Sequence, residues 1–319
     1  MNEQETPVIQ ITEQETAPTE PEIPFIHKTV LLKEAIDALN IKPGSTIVDA
    51  TFGGGGHTRA LLERHPTIKV IALDWDTAAI KKNSSELLEE FGNRLTITWA
   101  NFANIYRVLK KAGIKKVDGI LADLGTSQFQ IKHKDGFSFS VDTPLDMRMS
   151  NAHSYVTAAS FLAHKPEKEL ANIFFKYGEE KRSRRIAQAI VENRAKRRIR
   201  TTGDLTDIIL SVVPNIPYKN GRKQIHPATR VFQALRIAVN HELEHIETFL
   251  KAVPEVLAPN GRLVVISFHS LEDRIVKTFI QEKHTVLKNL TKKPIGPSED
   301  ERYYNPSSRS SKMRIAEML

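Results

Sequence analysis

Four consecutive glycines, Gly53 to Gly56, stand between the apolar run IVDA and the helical run HTRALLERH. Glycine at a strand-to-helix turn admits positive φ and lets a ligand approach backbone N–H groups that the helix leaves unpaired. The dinucleotide pattern G-x-G-x-x-G fails, because its third position falls on Thr58 or Arg59, and no Gly-Lys-Ser/Thr follows to make a Walker loop. An S-adenosylmethionine turn, Asp-x-Gly-x-Gly-x-Gly, fits at Asp49, Gly53 and Gly55 and departs at Thr51. One strand later Asp74 ends IKVIALD, where an ionised carboxylate with two acceptor oxygens can take both hydroxyls of a ribose. A third acid, Asp123, ends VDGILAD. The exocyclic amine of cytosine or adenine is a poor nucleophile because its lone pair is delocalised into the ring. Acceptors on its N–H bonds, here Asp123 and the Leu124 carbonyl, stabilise the positive charge that develops as nitrogen attacks a sulfonium methyl. The glycine turn with Asp49, and Asp123 itself, also have a plainer reading as structural turns capped by an aspartate.

The chain has no cysteine, which excludes disulfides, thiolate zinc sites and iron–sulfur clusters. It also closes the covalent route to cytosine C5 methylation, whereas attack by an exocyclic nitrogen needs no enzyme adduct. His241-Glu-Leu-Glu-His245 matches the H-E-x-x-H zinc pattern. On one continuous helix, however, Phe232, Leu235, Leu243, Ile246 and Leu250 share a side and both histidines point away, toward solvent, so no metal site is expected. Ser267, His269 and Ser270 end a later strand without a G-x-S-x-G elbow. They read either as pocket lining or as a capped turn opening the helix at Leu271.

The elements that must position these groups follow from the pattern. Strands alternate with helices from Val30 to about residue 125, which predicts an α/β fold with a doubly wound, mostly parallel sheet. One helix is expected over 76–91 and one long helix from Pro227, with RLVVISF as the strand after it. Between about 137 and 225 only helical runs and the linker PNIPYKNGRKQIHP appear, so an inserted helical domain interrupts the sheet after its fourth strand. The expected division is a disordered acidic tail at 1–24, a core in two parts at 25–136 and 227–319, and the insertion at 137–226.

Charge is unevenly spread over the 319 residues, whose formal net charge is +8. The first 25 residues carry six Glu and no Lys or Arg, while residues 181–200 carry nine basic residues against Glu192 alone. That density exceeds ordinary solvation and points Arg182, Arg184, Arg185 and Lys196 at phosphates. Phe129, Phe137 and Phe139 have the type to stack on a splayed base or to pack in a core. No apolar run reaches bilayer length and no leader pattern opens the chain, so a cytoplasmic protein without a membrane partner is expected.

TFGGGGH, LADLGTSQFQ, GFSF, PLDMRM, YGEE, HPATRVFQALRI, LAPNGRLVVISFHSLEDRIVK and RSSKMRIAE together resemble the bacterial ribosomal RNA small subunit methyltransferase H family, from about His27 to the C-terminus. The resemblance implies S-adenosylmethionine-dependent methylation of a cytidine N4 amine in the decoding centre of 16S rRNA, within the small ribosomal subunit, on a methyltransferase sheet with an inserted helical domain. It implies cofactor contacts at Gly55, Gly56, His57, Asp74, Phe102, Asp123 and Gln130. With the pocket reading above, the expected catalytic set is Asp123, Ser127 and His269. The family's usual Val-Ser-Ser-Pro-Gln is Thr126 to Gln130 here, with Phe129 in place of proline. Two alternatives stand beside this reading: an N-methyltransferase for another nucleic acid or a protein, and a non-catalytic RNA-binding assembly factor.

Overall fold

Apolar residues alternate faces along the central strands. Ile47, Val70 and Leu121 pack on one side of the sheet, and Val48, Ile71 and Ile120 on the other, as the two-residue period of a strand requires. A sheet buried on both faces suits parallel strands joined by helices. The computed structural model describes residues 29–125, 134–150, 155–219 and 222–319; the acidic tail at 1–24, Ser127, Phe129 and Gln130 lie outside the described residues.

The sheet contains β1 (Thr46–Asp49), β2 (Lys69–Asp74), β3 (Leu95–Trp99), β4 (Val117–Asp123), β7 (Leu257–Ser267), β8 (Leu287–Asn289) and β9 (Lys312–Met318), in the order β3-β2-β1-β4-β7-β9-β8. β9 runs antiparallel between β7 and β8; the other pairings are parallel. The strand order reverses between β1 and β4, so their carboxyl ends, Asp49 and Asp123, flank the crevice where ligands bind in open α/β sheets. The helices α1 (Leu32–Ala38) and α2 (Gly56–Glu63) cover one face of the sheet.

The helix expected over 76–91 is two, α3 (Thr77–Asn83) and α4 (Ser85–Phe91). The short polar run Asn83-Ser84-Ser85 competes for backbone bonds, and Asn83 Nδ2 donates to the Gly53 carbonyl at 2.9 Å. After α5 (Ile105–Lys111), β4 leads into the insertion, whose helices are α6 (Ala158–His164), α7 (Glu167–Gly178), α8 (Ser183–Lys196) and α9 (Thr202–Val212). The stretch expected to be a plain linker holds a short antiparallel pair, β5 (Tyr218–Lys219) and β6 (Arg222–Lys223). The Asn-Gly dipeptide between them is the favoured two-residue hairpin signal.

The long helix from Pro227 is also broken. α10 (Pro227–Asn240) and α11 (Glu242–Val256) meet at His241, which sits at φ 52°, a left-handed conformation that costs a non-glycine residue about 1 kcal/mol. Buried Asn240 holds the break: its Oδ1 accepts from the Met149 N–H, and its Nδ2 donates to the carbonyls of Met147 and Arg236, at 2.8, 2.8 and 2.9 Å. The break resets the helical phase. His241 is exposed as the wheel requires, but His245 turns into the wall of a cavity, against the expectation that both face solvent. α10 shares an apolar core with the insertion, through Val231, Phe232 and Leu235 beside Phe174, Ile186 and Leu205, so that core continues past residue 226. α11 and α12 (Ser270–Glu282) pack on the sheet, and α13 (Glu299–Tyr304) precedes β9. Among the described residues, no helix is long and apolar enough to cross a membrane.

Candidate active site

A cavity of about 430 Å³ opens at the reversal of strand order, between the ends of β1, β2, β4 and β7 and the insertion side of α10. Asp74 and Asp123 line it, and Asp49 lies buried behind the lining residues Ala50 and Thr51. Asp49 is fully buried; one oxygen accepts from the Thr51 N–H at 3.1 Å and the other from Thr58 Oγ1 at 2.7 Å, so it ties both ends of the glycine turn. Burial, opposed by these hydrogen bonds and aided by the nearby charge of Asp74, pushes its carboxyl up to about 6. Thr51, the departure from the glycine motif, has its own bond: its hydroxyl accepts from the Asp123 N–H at 2.7 Å and joins the exit of β1 to that of β4.

The glycine turn is tightly packed. Gly55 sits at φ 76°, and a Cβ there would lie 2.6 Å from Leu87 Cδ1; a Cβ on Gly56 would lie 1.9 Å from Thr29 Oγ1. Asp74 accepts from the N–H groups of Gly53 and Asp76 at 2.7 and 2.8 Å, one on each oxygen, which leaves each oxygen a further lone pair. Burial raises its carboxyl above the usual range. Beside it, Trp75 and Phe102 form an aromatic wall with His245, whose ring meets Trp75 edge-on at 5.3 Å between centroids. Asn101 Nδ2 lies 3.2 Å from His245 Nδ1.

Asp123 ends β4 with one oxygen, Oδ2, 3.9 Å from His57 Nδ1. The other, Oδ1, is buried and has no hydrogen-bond partner among the described residues. Burial, then the charges of Asp49 and Glu272, push this carboxyl well above the ordinary carboxylate range. His57 is buried, with Nε2 3.2 Å from the Val30 carbonyl.

The facing wall is ionic. Arg236 donates to both oxygens of Glu242, at 2.8 and 2.9 Å. His269 caps the N-terminus of α12, while Glu272 reaches back to the N–H groups of Phe268 and His269 at 2.7 and 3.2 Å. Its own burial would raise Glu272, yet His269, the Phe268 N–H and the charge of Arg236 hold it below its ordinary value. The two readings of the SFHS segment therefore combine, because His269 both caps the helix and lines the cavity. Ser267 is buried in β7, and Ser270 Oγ lies 3.3 Å from Glu179, so neither serine forms a nucleophile–histidine pair. Glu242, His269 and Glu272 each bring one ligand atom within 4.8 Å of the others. The Arg236 guanidinium spans both Glu242 oxygens and already supplies a fixed cation there.

Of the residues picked from sequence, Gly56, His57, Asp74, Phe102, Asp123 and His269 line this cavity, and Gly55 caps the helix beginning at Gly56. Ser127 and Gln130 lie outside the described residues. Phe137 and Phe139 also line the cavity, but Phe139 is packed, stacked on His226 at 4.8 Å and edge-on to Phe232. Arg182, Arg184, Arg185 and Lys196 are exposed along α8 and do not line the cavity. Arg194 of the same run serves structure, donating to the carbonyls of Leu162 and Lys165. Sequence reasoning missed Thr51, Trp75, Arg236, Glu242, His245 and Glu272. The His-x-x-Glu spacing at 269–272 carried a capping signal. The Arg236–Glu242 pair spans the break at His241, and no continuous helix would have suggested it.

The chain resembles curated proteins along nearly its whole length. It is 46% identical to the ribosomal RNA small subunit methyltransferase H of a Cyanothece species, covering 95% of this chain and 98% of that protein. It is 48% identical to the protein of that name from Nostoc punctiforme, over 93% and 96% of the two chains, and 44% identical to that from Carboxydothermus hydrogenoformans, over 92% and 98%. Among solved structures, an rRNA methylase from Streptococcus thermophilus aligns over 92% of this chain and 99% of that one, with a TM-score of 0.43 at 11% identity. The model of the MraW methylase family matches residues 24–319, and the chain belongs to that family of methyltransferases.

Proposed function

We propose that the protein methylates the exocyclic N4 amine of a cytidine in the decoding centre of 16S rRNA, in the small ribosomal subunit and in the cytoplasm. As a methyltransferase of this family it uses S-adenosylmethionine, which supplies an electrophilic methyl group on a sulfonium. The residues present suit that group: a tight glycine turn, a half-buried strand-end carboxylate at Asp74 with a further lone pair on each oxygen, and a buried oxygen on Asp123 with no partner among the described residues. In this reading Gly55, Gly56, His57, Asp74, Phe102, Asp123 and Gln130 hold the cofactor, with the ribose on Asp74 and an apolar face from Phe102.

The observation that carries the reading is Asp123 Oδ1, a buried acceptor without a partner among the described residues, at the junction of the cofactor side and the insertion side of one cavity. A substrate N–H bond satisfies it, and its value grows as the amine nitrogen becomes cationic. His269 and Ser127 line the substrate side in this reading, and the core at 25–136 and 227–319 does the chemistry. Since a base inside a helix cannot reach such a cavity, the cytidine leaves its stack, and the insertion at 137–226 grips the flanking RNA. Mass spectrometry of rRNA nucleosides, with and without the gene, tests the reading: loss of N4-methylcytidine from 16S rRNA is expected, and an unchanged nucleoside profile overturns it.

The exposed basic side of α8 supplies affinity in this reading rather than chemistry. Replacing Arg184, Arg185 and Lys196 by Gln should weaken RNA binding and flatten the plot of log affinity against log salt by about 0.7–0.9 for each phosphate no longer neutralised. An unaltered slope would make this helix face merely solvated.

A further inference from the structure

The reaction leaves one proton unassigned, since the N4-methylated amine is first formed as an ammonium and must lose a hydrogen. We propose that His57 and Asp123 form a proton couple, in which the Asp123 carboxylate takes that hydrogen from nitrogen and His57 Nδ1, which faces its Oδ2, receives it from Asp123. The inference rests on the reading of Asp123 as the amine's partner.

The geometry fixes how His57 can act. A carbonyl oxygen only accepts, so the 3.2 Å approach of Nε2 to the Val30 carbonyl places the ring hydrogen on Nε2. Nδ1 is then the basic nitrogen, and it faces Asp123 Oδ2 at 3.9 Å. An approach of about 1 Å makes this a hydrogen bond. His57 is enclosed, at 4% exposure, and Asp123 is half-buried between the ends of β1 and β7, its side chain 23% exposed. The charged groups around the couple are Asp49 at the end of β1, Glu272 with His269 at the start of α12, and Arg236 paired with Glu242 across α10 and α11. Asp49 and Glu272 both disfavour an isolated carboxylate at position 123. A group so placed is an effective base once the amine is cationic, and a neighbouring imidazole lets it return to its starting state.

The step balances. The N4–CH3 bond forms as the S–CH3 bond breaks, with the electron pair left on sulfur as a neutral thioether. The ammonium then yields one proton to the Asp123 carboxylate, and the proton passes from its Oδ2 side to His57 Nδ1, giving an imidazolium beside a carboxylate. The imidazolium then releases the proton to solvent. His57 thus acts through Asp123 and is a positioning residue for it.

The test uses ligand-free full-length protein and the assembled reaction. In ¹⁵N spectra of histidine-labelled protein, His57 should show the Nε2–H tautomer and titrate at Nδ1. In Asp123→Asn its midpoint should fall by at least one pH unit, because the anion that favours imidazolium is gone. In turnover, His57→Gln keeps a donor for the Val30 carbonyl but cannot titrate. At saturating cofactor and RNA it should lower kcat by about tenfold or more and move the acid limb of the kcat–pH profile to lower pH. A midpoint of His57 unchanged by Asp123→Asn overturns the couple, as does a lowered rate with an unmoved pH profile. If His57→Gln fails to fold, the Asp123→Asn titration decides alone. The product's identity separates the two failures: absence of N4-methylcytidine with wild-type protein refutes the substrate reading, while the histidine spectra do not depend on it.

Discussion

Replacing Asp123 by alanine should cut the methylation rate at saturating RNA and cofactor by roughly 100-fold or more, with RNA affinity little changed. The carboxylate accepts from an amine whose hydrogens grow more acidic toward the transition state, so its loss weighs on kcat rather than on binding. Its backbone N–H is tied to Thr51 and not to its own side chain, so the strand end should survive the truncation. Single-turnover rates measured beside cofactor affinity separate the roles. A rate within a few-fold of wild type at saturation would refute the catalytic assignment and leave Asp123 as a cofactor contact, moving attention to His269.

Asp74→Ala should act on the opposite quantity. A charge-assisted contact to a ribose is worth about 1.5–3 kcal/mol, so affinity for S-adenosylmethionine should fall by about 10- to 150-fold. The same substitution frees the Gly53 N–H, which Asp74 holds at 2.7 Å, so the turn itself loosens and the larger end of the range is expected. Calorimetry at fixed pH checks this directly, and unchanged affinity would sink the ribose assignment.

The parts of this site readable from sequence are those fixed by local rules. Asp49, Asp74 and Asp123 end β-branched or aliphatic runs, and a doubly wound sheet sends such strand ends to one edge. The glycines announce a turn whose φ values other residues rarely adopt. What escaped depends on long-range closure. Asn240 gives no sign in the sequence that it will bind the Met147–Met149 segment, and without that tie nothing predicts a break at His241. The break then decides that His245 joins the aromatic wall and that Arg236 meets Glu242. Thr51 looks like a defect in a glycine motif. Its hydroxyl bond to Asp123 shows that the position gives up backbone freedom for a link between adjacent strands.

Asp49 carries a consequence for the protein's tolerance of acid. Its native carboxyl holds a proton up to about pH 6, whereas an unfolded aspartate releases it near 3.9. Between those values the folded chain binds more protons than the unfolded one, so this residue's contribution to stability falls as pH rises through the window, by about 3 kcal/mol in all. Above pH 6 the fold encloses an anion it would sooner neutralise, and a cation in the cavity lined by the adjoining Ala50 and Thr51 relieves that burden. The methyl donor carries such a charge on sulfur, and the spent thioether does not. Thermal unfolding of Asp49→Asn should therefore lose part of the decline in stability from pH 4.5 to 7 seen in the natural chain. The preference for donor over spent product, measured by calorimetry, should widen from pH 5 to 7.5; a preference independent of pH would dissociate Asp49 from it. In that case the buried acid would only shape the turn; otherwise it makes product departure a result of the same charge loss that completes the transfer.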